Sequence, residues 1–344
     1  MDLVNDPLFK VCRSEEYNYI FRKADGFFAR WGKTKDHDPQ QAPFPEILDM
    51  EISVGDCSSN CSWCYKSNSR GNGIHMNLDT FKNIIDKMGF LTQIAFGITD
   101  IDSNPDFIGM LHYAREKGIV PNFTMAGYGL TETLADQVAG LCGAIAVSAY
   151  PHTRNLAYNT IKSLTDRGMK QVNIHLLYYS GNEEHVYQVL KDVKNDPRLA
   201  KLNAVVLLGL KTKGRAEEGF QALSYEKFSK IIEHCFDEDV PIGFDSCSAP
   251  KFEEYVNTSD MPKKQKENLL QMSEPCESTL FSFYINYLGE GFPCSFMEST
   301  LGWEKGINVL DADNFVEDVW NHPRIVNWRQ HLLEKCRHCP VYKV

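Results

Sequence analysis

Hydrophobic and polar residues alternate in six short segments within the first two thirds of the chain. This alternation is typical of β-strands, because successive side chains of a strand point to opposite faces of the sheet. The predicted strands are residues 46–54, 93–98, 119–125, 144–148, 171–177 and 204–208.

The stretches between these strands repeat their hydrophobic residues every three or four positions, a spacing that predicts amphipathic helices. Asn77 can cap the first helix, and Gly89, Gly118 and Gly168 follow the ends of three of them. Strands that alternate with helices favour a parallel sheet with the helices outside it. The predicted helices are residues 78–88, 107–117, from 131 onward, 154–168, 183–192 and 224–236.

Six strand–helix units are compatible with a doubly wound α/β sheet or with an incomplete β/α barrel, and periodicity does not separate the two. In both architectures ligands bind at the carboxyl ends of the strands. Residues 1–45 are interpreted as a lead-in segment and residues 46–250 as the α/β body. Residues 251–344 are richer in cysteine, glycine and aromatic residues and carry a last amphipathic helix near 322–335, so we expect a small appended α+β domain there.

Composition supports a folded globular protein, since 43% of the 344 residues are hydrophobic and 24% are charged. The net charge of −10 argues against a general nucleic-acid binder, which needs a basic surface. No apolar run is long enough to cross a bilayer, so no membrane partner is expected. The N-terminus lacks the features of a secretory signal, and we therefore expect a cytoplasmic protein.

The chain has 11 cysteines, and they are unevenly placed. Cys57, Cys61 and Cys64 follow directly on the first predicted strand with the spacing C-x3-C-x2-C. In a reducing compartment, clustered cysteines are more often metal ligands or redox centres than disulfides. Three thiolates on one loop can hold three irons of a [4Fe–4S] cluster and leave the fourth iron open. A structural zinc site usually recruits four protein ligands, and His75 is a possible fourth, so spacing alone leaves zinc open.

The motif, with Trp63 before the last cysteine and Tyr65 after it, resembles the radical S-adenosylmethionine (SAM) family. The resemblance implies a partial (β/α)6, TIM-like barrel and an open iron that binds the amino and carboxylate groups of SAM. It also implies an external electron donor, such as flavodoxin or ferredoxin, and reductive cleavage of SAM to a 5′-deoxyadenosyl radical. That radical would abstract a hydrogen atom from a substrate, for which we expect a peptide or a small molecule.

Matching the family residue by residue extends the SAM site. The family carries a Gly-Gly-Glu-Pro stretch after its second strand, and here only the acid is kept, as Asp100, three residues after Gly97. Ser148, at the end of the fourth strand, matches a polar position that contacts SAM. The segment from Lys213 to Ala216 resembles a Gly-Arg-Ala segment of members with an appended cluster domain, although a basic surface turn is the alternative. The implied SAM-binding residues are Trp63, Tyr65, Gly97, Asp100 and Ser148.

A second group of cysteines lies in the last quarter of the chain, with Gly289 between its first two members. Its spacing resembles the shortened, twitch-type version of the SPASM domain, which holds one auxiliary [4Fe–4S] cluster. The resemblance implies two [4Fe–4S] clusters in all, although four thiolates suit structural zinc equally well. The implied ligands of the auxiliary cluster are Cys276, Cys294, Cys336 and Cys339.

The remaining candidates lie where the barrel mouth is expected. Cys247 is a candidate substrate-facing thiol or hydrogen donor, with a small buried residue as the alternative, and Asp245 and His175 are further catalytic candidates. Cys142 and Cys235 lie on apolar helix faces and are predicted to be core residues. The competing functions are a non-catalytic zinc or iron–sulfur protein and a radical SAM enzyme that acts on a nucleotide or nucleic-acid base.

Overall fold

The computed structural model describes residues 1–342, so the last two residues of the predicted appended domain lie outside the described part. Its strands are β1 Asp2–Asn5, β2 Phe9–Arg13, β3 Asn18–Arg22, β4 Phe28–Trp31, β5 Ile47–Glu51, β6 Ser53–Val54, β7 Ile74–His75, β8 Gln93–Gly97, β9 Val120–Met125, β10 Ile145–Ser148, β11 Val172–Tyr178, β12 Ala204–Gly209, β13 Ile242–Phe244, β14 Ser282–Ile285, β15 Glu290–Phe292 and β16 Ile307–Asn308.

The helices follow the strands in the order that the hydrophobic spacing predicted. Side chains of Asn77, Thr131 and Ser224 accept hydrogen bonds from backbone N–H groups and cap the first, third and sixth helices. The first helix ends two residues earlier than predicted, because the chain leaves the helix before Gly89. The α-helices are α1 Leu78–Asp86, α2 Phe107–Glu116, α3 Glu132–Leu141, α4 Arg154–Asp166, α5 Glu183–Asn195, α6 Tyr225–Asp237, α7 Ala249–Thr258, α8 Lys263–Gln271 and α9 Pro323–Glu334.

The main sheet has ten strands in the order β13-β12-β11-β10-β9-β8-β5-β14-β15-β16. All pairs from β13 to β14 are parallel, and β15 and β16 add antiparallel partners at one edge. The α/β class and the parallel sheet predicted from the alternation are therefore confirmed. Closure of this sheet into a partial (β/α)6 barrel stays a prediction.

The N-terminal segment has more structure than a lead-in. Strands β1 to β4 form a separate four-stranded antiparallel sheet in sequence order. Tyr19 and Phe21 of β3 are buried, as is Tyr17 just before this strand, and the hydroxyl of Tyr19 donates a hydrogen bond to the carbonyl of Phe90 at 2.8 Å. This sheet therefore packs on the turn that leads into β8.

The C-terminal part of the chain continues the main sheet. Strand β14 pairs in parallel with β5, with Ser282 opposite Ile47 and Ile285 opposite Met50. Strand β5, beyond whose carboxyl end the first cysteine loop lies, is thus placed between β8 and β14. Among residues 1–342, no helix is long and apolar enough to span a membrane.

Lys10 on β2 has a buried side-chain amine whose protonation makes the stability of the protein depend on pH. Its side chain is 1% exposed and its Nζ donates to the carbonyl of Leu91 at 2.6 Å. Burial, with a smaller contribution from the charge of Lys23, lowers the pKa of Lys10 to about 7. The pKa of Lys10 is lower in the folded protein than in the unfolded chain, so the free energy of unfolding increases as the pH rises above about 7. The contribution of Lys10 to stability is lost as the pH falls through about 7.

We therefore expect Lys10→Met to flatten the pH dependence of stability. Between pH 7 and pH 9, the free energy of unfolding of the unmodified protein should rise by about 2 kcal/mol more than that of the variant. Anaerobic urea unfolding at the two pH values measures the difference. Lys33→Met, at an exposed site paired with Glu15, is the control and should show the unmodified slope. An unchanged slope in Lys10→Met would show that Lys10 stays charged when folded.

Candidate active site and cysteine loops

The loop between β6 and β7 carries Cys57, Cys61 and Cys64 just beyond the carboxyl end of β5. Backbone hydrogen bonds close the loop on itself: the N–H of Cys57 donates to the carbonyl of Ser69 at 3.2 Å, and the N–H of Cys64 donates to that of Cys61 at 3.2 Å. The predicted position of the first cysteine motif, after the first strand of a parallel sheet, is thus the position that the structure gives it.

The thiols of this loop lie close enough to affect one another. Burial, the largest cause, and the charges of Cys64 and Cys57 together raise the pKa of Cys61 to about 12, while Arg215 opposes this rise. Burial also raises the pKa of Cys57, against hydrogen bonds from the backbone N–H groups of Ser59 and Asn60 that lower it. Hydrogen bonds from backbone N–H groups to cysteine sulfur are among the features that tune iron–sulfur clusters.

The zinc alternative for this loop requires a fourth ligand beside the three cysteines. Within residues 1–342, no three His, Cys, Asp or Glu side chains converge as ligands of one metal ion. Ligands of one zinc ion must converge tightly, because each Zn–S bond is only about 2.3 Å long. His75, the possible fourth zinc ligand, instead places its Nδ1 3.0 Å from the hydroxyl of Ser53. The zinc alternative for this loop therefore gains no support from the geometry.

Arg215, in the segment after β12, holds the cysteine loop through hydrogen bonds. Its guanidinium donates to the carbonyl of Cys61 through Nε at 3.0 Å, to Ser67 through Nη1 at 3.1 Å and to Asn68 through Nη2 at 2.6 Å. Its backbone N–H also donates to the carbonyl of Cys64 at 3.1 Å. The segment that resembled the Gly-Arg-Ala motif is therefore in contact with the first cysteine motif.

Gly214 explains why this segment needs glycine. Its φ is +60°, and an added Cβ would lie 2.5 Å from the carbonyl oxygen of Tyr65 and 2.8 Å from that of Cys64. No side chain fits at that distance, so the close approach of the two backbones depends on the absence of a Cβ.

Asp100 also holds the loop, through a hydrogen bond to its backbone. Its carboxylate accepts the backbone N–H of Ser58 at 3.1 and 3.3 Å, and its charge contributes to raising the pKa of Cys57. Gly97, at the end of β8, lies against Glu51, whose Cα would be 3.4 Å from an added Cβ. Asp100 thus contacts the loop and Gly97 lies beside the end of β5, while direct contact with SAM stays a prediction for each.

Trp63 is surrounded by other rings and keeps one unpaired donor. Its ring centre lies 5.6 Å from that of Tyr150, 5.7 Å from that of Tyr179 and 6.1 Å from that of Phe220. The indole Nε1 is buried and has no hydrogen-bond partner within residues 1–342. A buried donor without a partner costs about 1–3 kcal/mol, so this N–H marks a place where a ligand acceptor would be stabilised.

A cleft of about 400 Å³ opens beside Trp63. This volume lies in the range of small-molecule sites. His152 contributes to one wall and also bonds the loop, with its Nε2 2.9 Å from the carbonyl of Ser59. The other lining residues are Ser58, Ser59, Asn60, Cys61, Ser62, Arg70 and Tyr128.

Tyr65 and Ser148 take separate positions. The ring of Tyr65 lies 4.7 Å from that of Phe296, and burial raises the pKa of Tyr65 to about 12. It therefore touches the loop that follows Cys294. Ser148 is buried at the end of β10, two residues before Tyr150, one of the rings around Trp63. SAM binding by either residue stays a prediction.

His175 lies inside the sheet as a neutral imidazole. It is the register partner of Ser148 on the neighbouring strand, and its Nδ1 lies 3.4 Å from the hydroxyl of Thr124. Burial lowers the pKa of His175 to about 4, and the charge of Asp245 opposes this shift. At neutral pH the imidazole can therefore donate one hydrogen bond and accept another, but it carries no charge.

Asp245 and Cys247 lie in the turn after β13. The carboxylate of Asp245 forms a short ion pair with Nζ of Lys211, which is 5% exposed. It also accepts the N–H of Ser248 at 3.2 Å, and the hydroxyl of Ser248 lies 2.7 Å from that of Tyr178. Asp245 is thus bound to a buried cation, and Cys247 is half-buried beside it.

The second group of cysteines is only partly assembled. The N–H of Cys276 donates to the carbonyl of Arg337 at 3.2 Å, which holds the last C-x2-C next to Cys276. Cys276 is buried and Cys294 and Cys339 are half-buried, whereas Cys336 is exposed. The C-terminal chain therefore returns to Cys276, with one of its two cysteines facing solvent.

Several charged residues of the site were not predicted. Asp49 and Glu51 occupy alternate positions of β5, and burial raises the pKa of Asp49 to about 7 and that of Glu51 above its usual range. Lys66 lies just beyond the cysteine motif, and Lys211 follows the buried strand β12. Acids at every second position of a central strand were the available signal, because a strand covered on both faces should be apolar throughout.

The fold is similar to that of solved radical SAM enzymes, among them a protein with S-adenosylmethionine bound. No family model matches the sequence, and no curated protein is similar enough to match it. The similarity to solved structures lies at 10–16% sequence identity and shows the shared fold.

Two proteins illustrate it. SuiB of Streptococcus suis bound to S-adenosylmethionine has a TM-score of 0.69 and 12% identity, over 100% of this chain and 94% of that chain. SuiB bound to precursor peptide SuiA has a TM-score of 0.68 and 10% identity, over 93% and 90% of the two chains. The protein anSMEcpe with bound AdoMet and Cp18Cys peptide has a TM-score of 0.60 and 16% identity, over 87% of this chain and 88% of that one.

Proposed function

We propose that this protein is a radical SAM enzyme whose first cysteine loop binds a [4Fe–4S] cluster through Cys57, Cys61 and Cys64. The observation that carries the proposal is a loop with three cysteines beyond the end of β5, in a fold similar to that of radical SAM enzymes. A cluster held this way, once reduced, supplies cleavage of SAM to methionine and a 5′-deoxyadenosyl radical, and the cofactor carries this chemistry.

The chain's own residues hold the loop and shape its surroundings. Arg215 and Asp100 fix the loop backbone on either side of Cys61. The unpaired N–H of Trp63 and the rings around it offer one donor and apolar faces to a bound ligand. His175 remains neutral in the sheet interior and can position a polar substrate group without adding charge.

The C-terminal cysteines are proposed to bind a second [4Fe–4S] cluster, through Cys276, Cys294 and Cys339 with one further thiolate. Spacing favours Cys336 as that fourth ligand. The proposed roles of this cluster are electron transfer or shaping of the substrate pocket. An external donor such as flavodoxin or ferredoxin would supply the electron.

The proposed substrate is a peptide or a small molecule, with a peptide favoured. The structures of SuiB with precursor peptide SuiA and of anSMEcpe with a Cp18Cys peptide support this choice through their shared fold. The net charge of −10 argues against a nucleic-acid polymer as the substrate, because binding of its phosphates depends on basic residues.

The test is SAM cleavage by the reduced protein. Anaerobically purified protein, treated with dithionite and SAM, should release 5′-deoxyadenosine, and Cys61→Ala should release none above background. Cys142→Ala removes a buried thiol on α3's C-terminal cap and should keep the unmodified rate per bound cluster. Stoichiometric zinc without iron, or equal rates for Cys61→Ala and Cys142→Ala, would contradict the proposal.

A further inference from the structure

The main sheet has one apolar face and one polar face. On the apolar face, Leu48 and Met50 of β5 and Ile94 of β8 are buried. The residues between them point to the opposite face, because side chains alternate along a strand. In β5 those residues include Asp49 and Glu51. The polar face therefore carries two carboxylates on an interior strand of the sheet.

The polar face is accessible to water at several positions. Asp49 lies opposite Ala95 of β8, and Ala95 lies opposite Asn122 of β9. All three side chains are half-buried, although their strands have neighbours on both sides. Thr124 of β9 and His175 of β11 are half-buried as well. A polar and partly accessible face on the interior strands indicates a space that a ligand can enter.

The neutral polar groups of this face have partners within the protein. The side-chain amide of Asn122 donates to the side-chain carbonyl of Gln93 at 3.1 Å, and its own carbonyl accepts the N–H of Ala144 at 2.8 Å. The hydroxyl of Thr124 lies 3.4 Å from Nδ1 of His175. These groups are therefore satisfied without a ligand.

Two carboxylates near this face have lysine partners. Nζ of Lys66 lies 3.1 Å from Oε1 of Glu51, and the hydroxyl of Tyr284 donates to Oε2 of Glu51 at 3.0 Å. Asp245, which follows β13, forms its ion pair with Lys211. The chain itself thus supplies a cation to Glu51 and another to Asp245.

Asp49 has no such partner within residues 1–342. Burial, followed by the charge of Glu277, raises its pKa to about 7, and neither a hydrogen bond nor a cation opposes that rise. Its register partner on β14 is Tyr284, whose hydroxyl bonds Glu51, and its partner on β8 is Ala95. A carboxylate in this position is costly without a counter-charge, and a cation from a ligand would remove that cost.

We propose that Asp49 binds the ammonium or guanidinium group of a basic side chain in a peptide substrate. The inference rests on the proposed function and specifies its substrate as a peptide that contains lysine or arginine. Hydrogen bonds between a carboxylate and either cation are about twice as strong as neutral ones. Both side chains carry their charge at the end of a flexible apolar stem, so the charge can reach an interior strand while the peptide backbone stays outside.

The probes are two matched alanine peptides that differ in their central residue, which is lysine in one and norleucine in the other. Norleucine keeps the carbon chain of lysine and lacks the amine. Equilibrium dialysis against the cluster-loaded protein, under anaerobic conditions and with SAM present, gives the affinity for each peptide. The unmodified protein should bind the lysine peptide about tenfold more tightly, as expected for a hydrogen bond between charged groups.

Asp49→Asn keeps the size of the side chain and removes its charge, so it should bind both peptides with nearly equal affinity. A purely structural role of Asp49 would weaken both peptides alike and leave the preference for lysine in place. Asp49→Glu keeps the charge and should keep the preference, which covers the case in which the asparagine variant folds poorly. The control is Asp260→Asn, which removes an exposed carboxylate from a separate cleft beside Glu226 and Glu233 and should keep the preference.

A preference for lysine that survives in Asp49→Asn, or that is absent from the unmodified protein, would overturn the inference. Loss of the preference in Asp260→Asn alone would do the same, because the basic group would then bind at the other cleft. Weaker SAM binding in Asp49→Asn with an unchanged preference would assign Asp49 to the SAM site, against the inference. Peptide binding does not require SAM cleavage, so the release of 5′-deoxyadenosine by the unmodified protein tests the proposed function separately.

Discussion

Lys66→Met should lower the free energy of unfolding by about 3–5 kcal/mol, the cost of removing one partner of a buried ion pair. The Nζ of Lys66 lies 3.1 Å from Oε1 of Glu51, forms a short ion pair with Glu298 and donates to the hydroxyl of Tyr284 at 2.6 Å. The side chains of Lys66 and Glu51 are 10% and 7% exposed, so water does little to replace the lost cation.

The pKa shifts show how strongly these groups depend on one another. Burial alone would lower the pKa of Lys66, but Glu51, Tyr65 and Glu298 raise it above its usual value. Burial raises the pKa of Glu51, and Lys66 opposes that rise. Without Lys66, Glu51 and Glu298 remain buried with no cation between them.

Anaerobic urea unfolding of the cluster-loaded protein measures the effect. The matched control is Lys162→Met, which breaks an exposed i,i+4 pair with Asp166 and should cost no more than about 0.5 kcal/mol. Adding Glu51→Gln to Lys66→Met should recover part of the loss, since it removes one uncompensated charge. A loss no larger than that of Lys162→Met would mean that water reaches this network.

Arg215→Ala should remove most of the iron of the first cluster. Three carbonyls of the cysteine loop, those of Cys61, Ser67 and Asn68, lose their donors at once. Each hydrogen bond from a charged donor contributes about 1.5–3 kcal/mol, so the loop loses several kcal/mol of ordering. Iron per chain should fall from about eight to about four, by the arithmetic of two four-iron centres, and release of 5′-deoxyadenosine should fall in parallel.

Two variants separate geometry from charge. Arg215→Lys keeps the charge but not the planar fork, and it should hold an intermediate amount of iron. Arg167→Ala removes an arginine that binds Glu132 and Asp136 on the outer helices, and it should hold the unmodified amount. Full iron in Arg215→Ala would show that the loop is ordered by the cluster alone.

The sequence predicted the repeating part of the fold because that part is local. Strands β5 and β8 to β12 each show their alternation within a few residues, and caps such as Asn77 act within one turn. Strands β1 to β4 were missed, since residues 1–45 lack the alternation of strand-like and helix-like segments and these strands form by pairing with each other. The pairing of β14 with β5 could not be predicted either, because the residues of a strand do not determine which strand lies beside it in the sheet.

The candidate site likewise combines features that are local in the sequence with contacts between distant segments. The spacing of Cys57, Cys61 and Cys64 is local, and the structure keeps the three on one loop. The spacing of Cys336 and Cys339 is also local, yet it hides the backbone turn that leaves Cys336 exposed. The partners of Asp100 and Lys211 come from distant segments, so their contacts required the folded chain.

The place of β14 beside β5 has a consequence for biosynthesis. The ribosome releases β5 early and β14 only after the whole α/β body, since domains emerge from the N-terminus onward. During that interval one edge of β5 is unpaired, and Lys66 lacks its partners Tyr284 and Glu298. The first cysteine loop thus reaches its final form only when nearly all of the chain has been made. We therefore expect the proposed first cluster to be loaded into the completed polypeptide rather than into the nascent one.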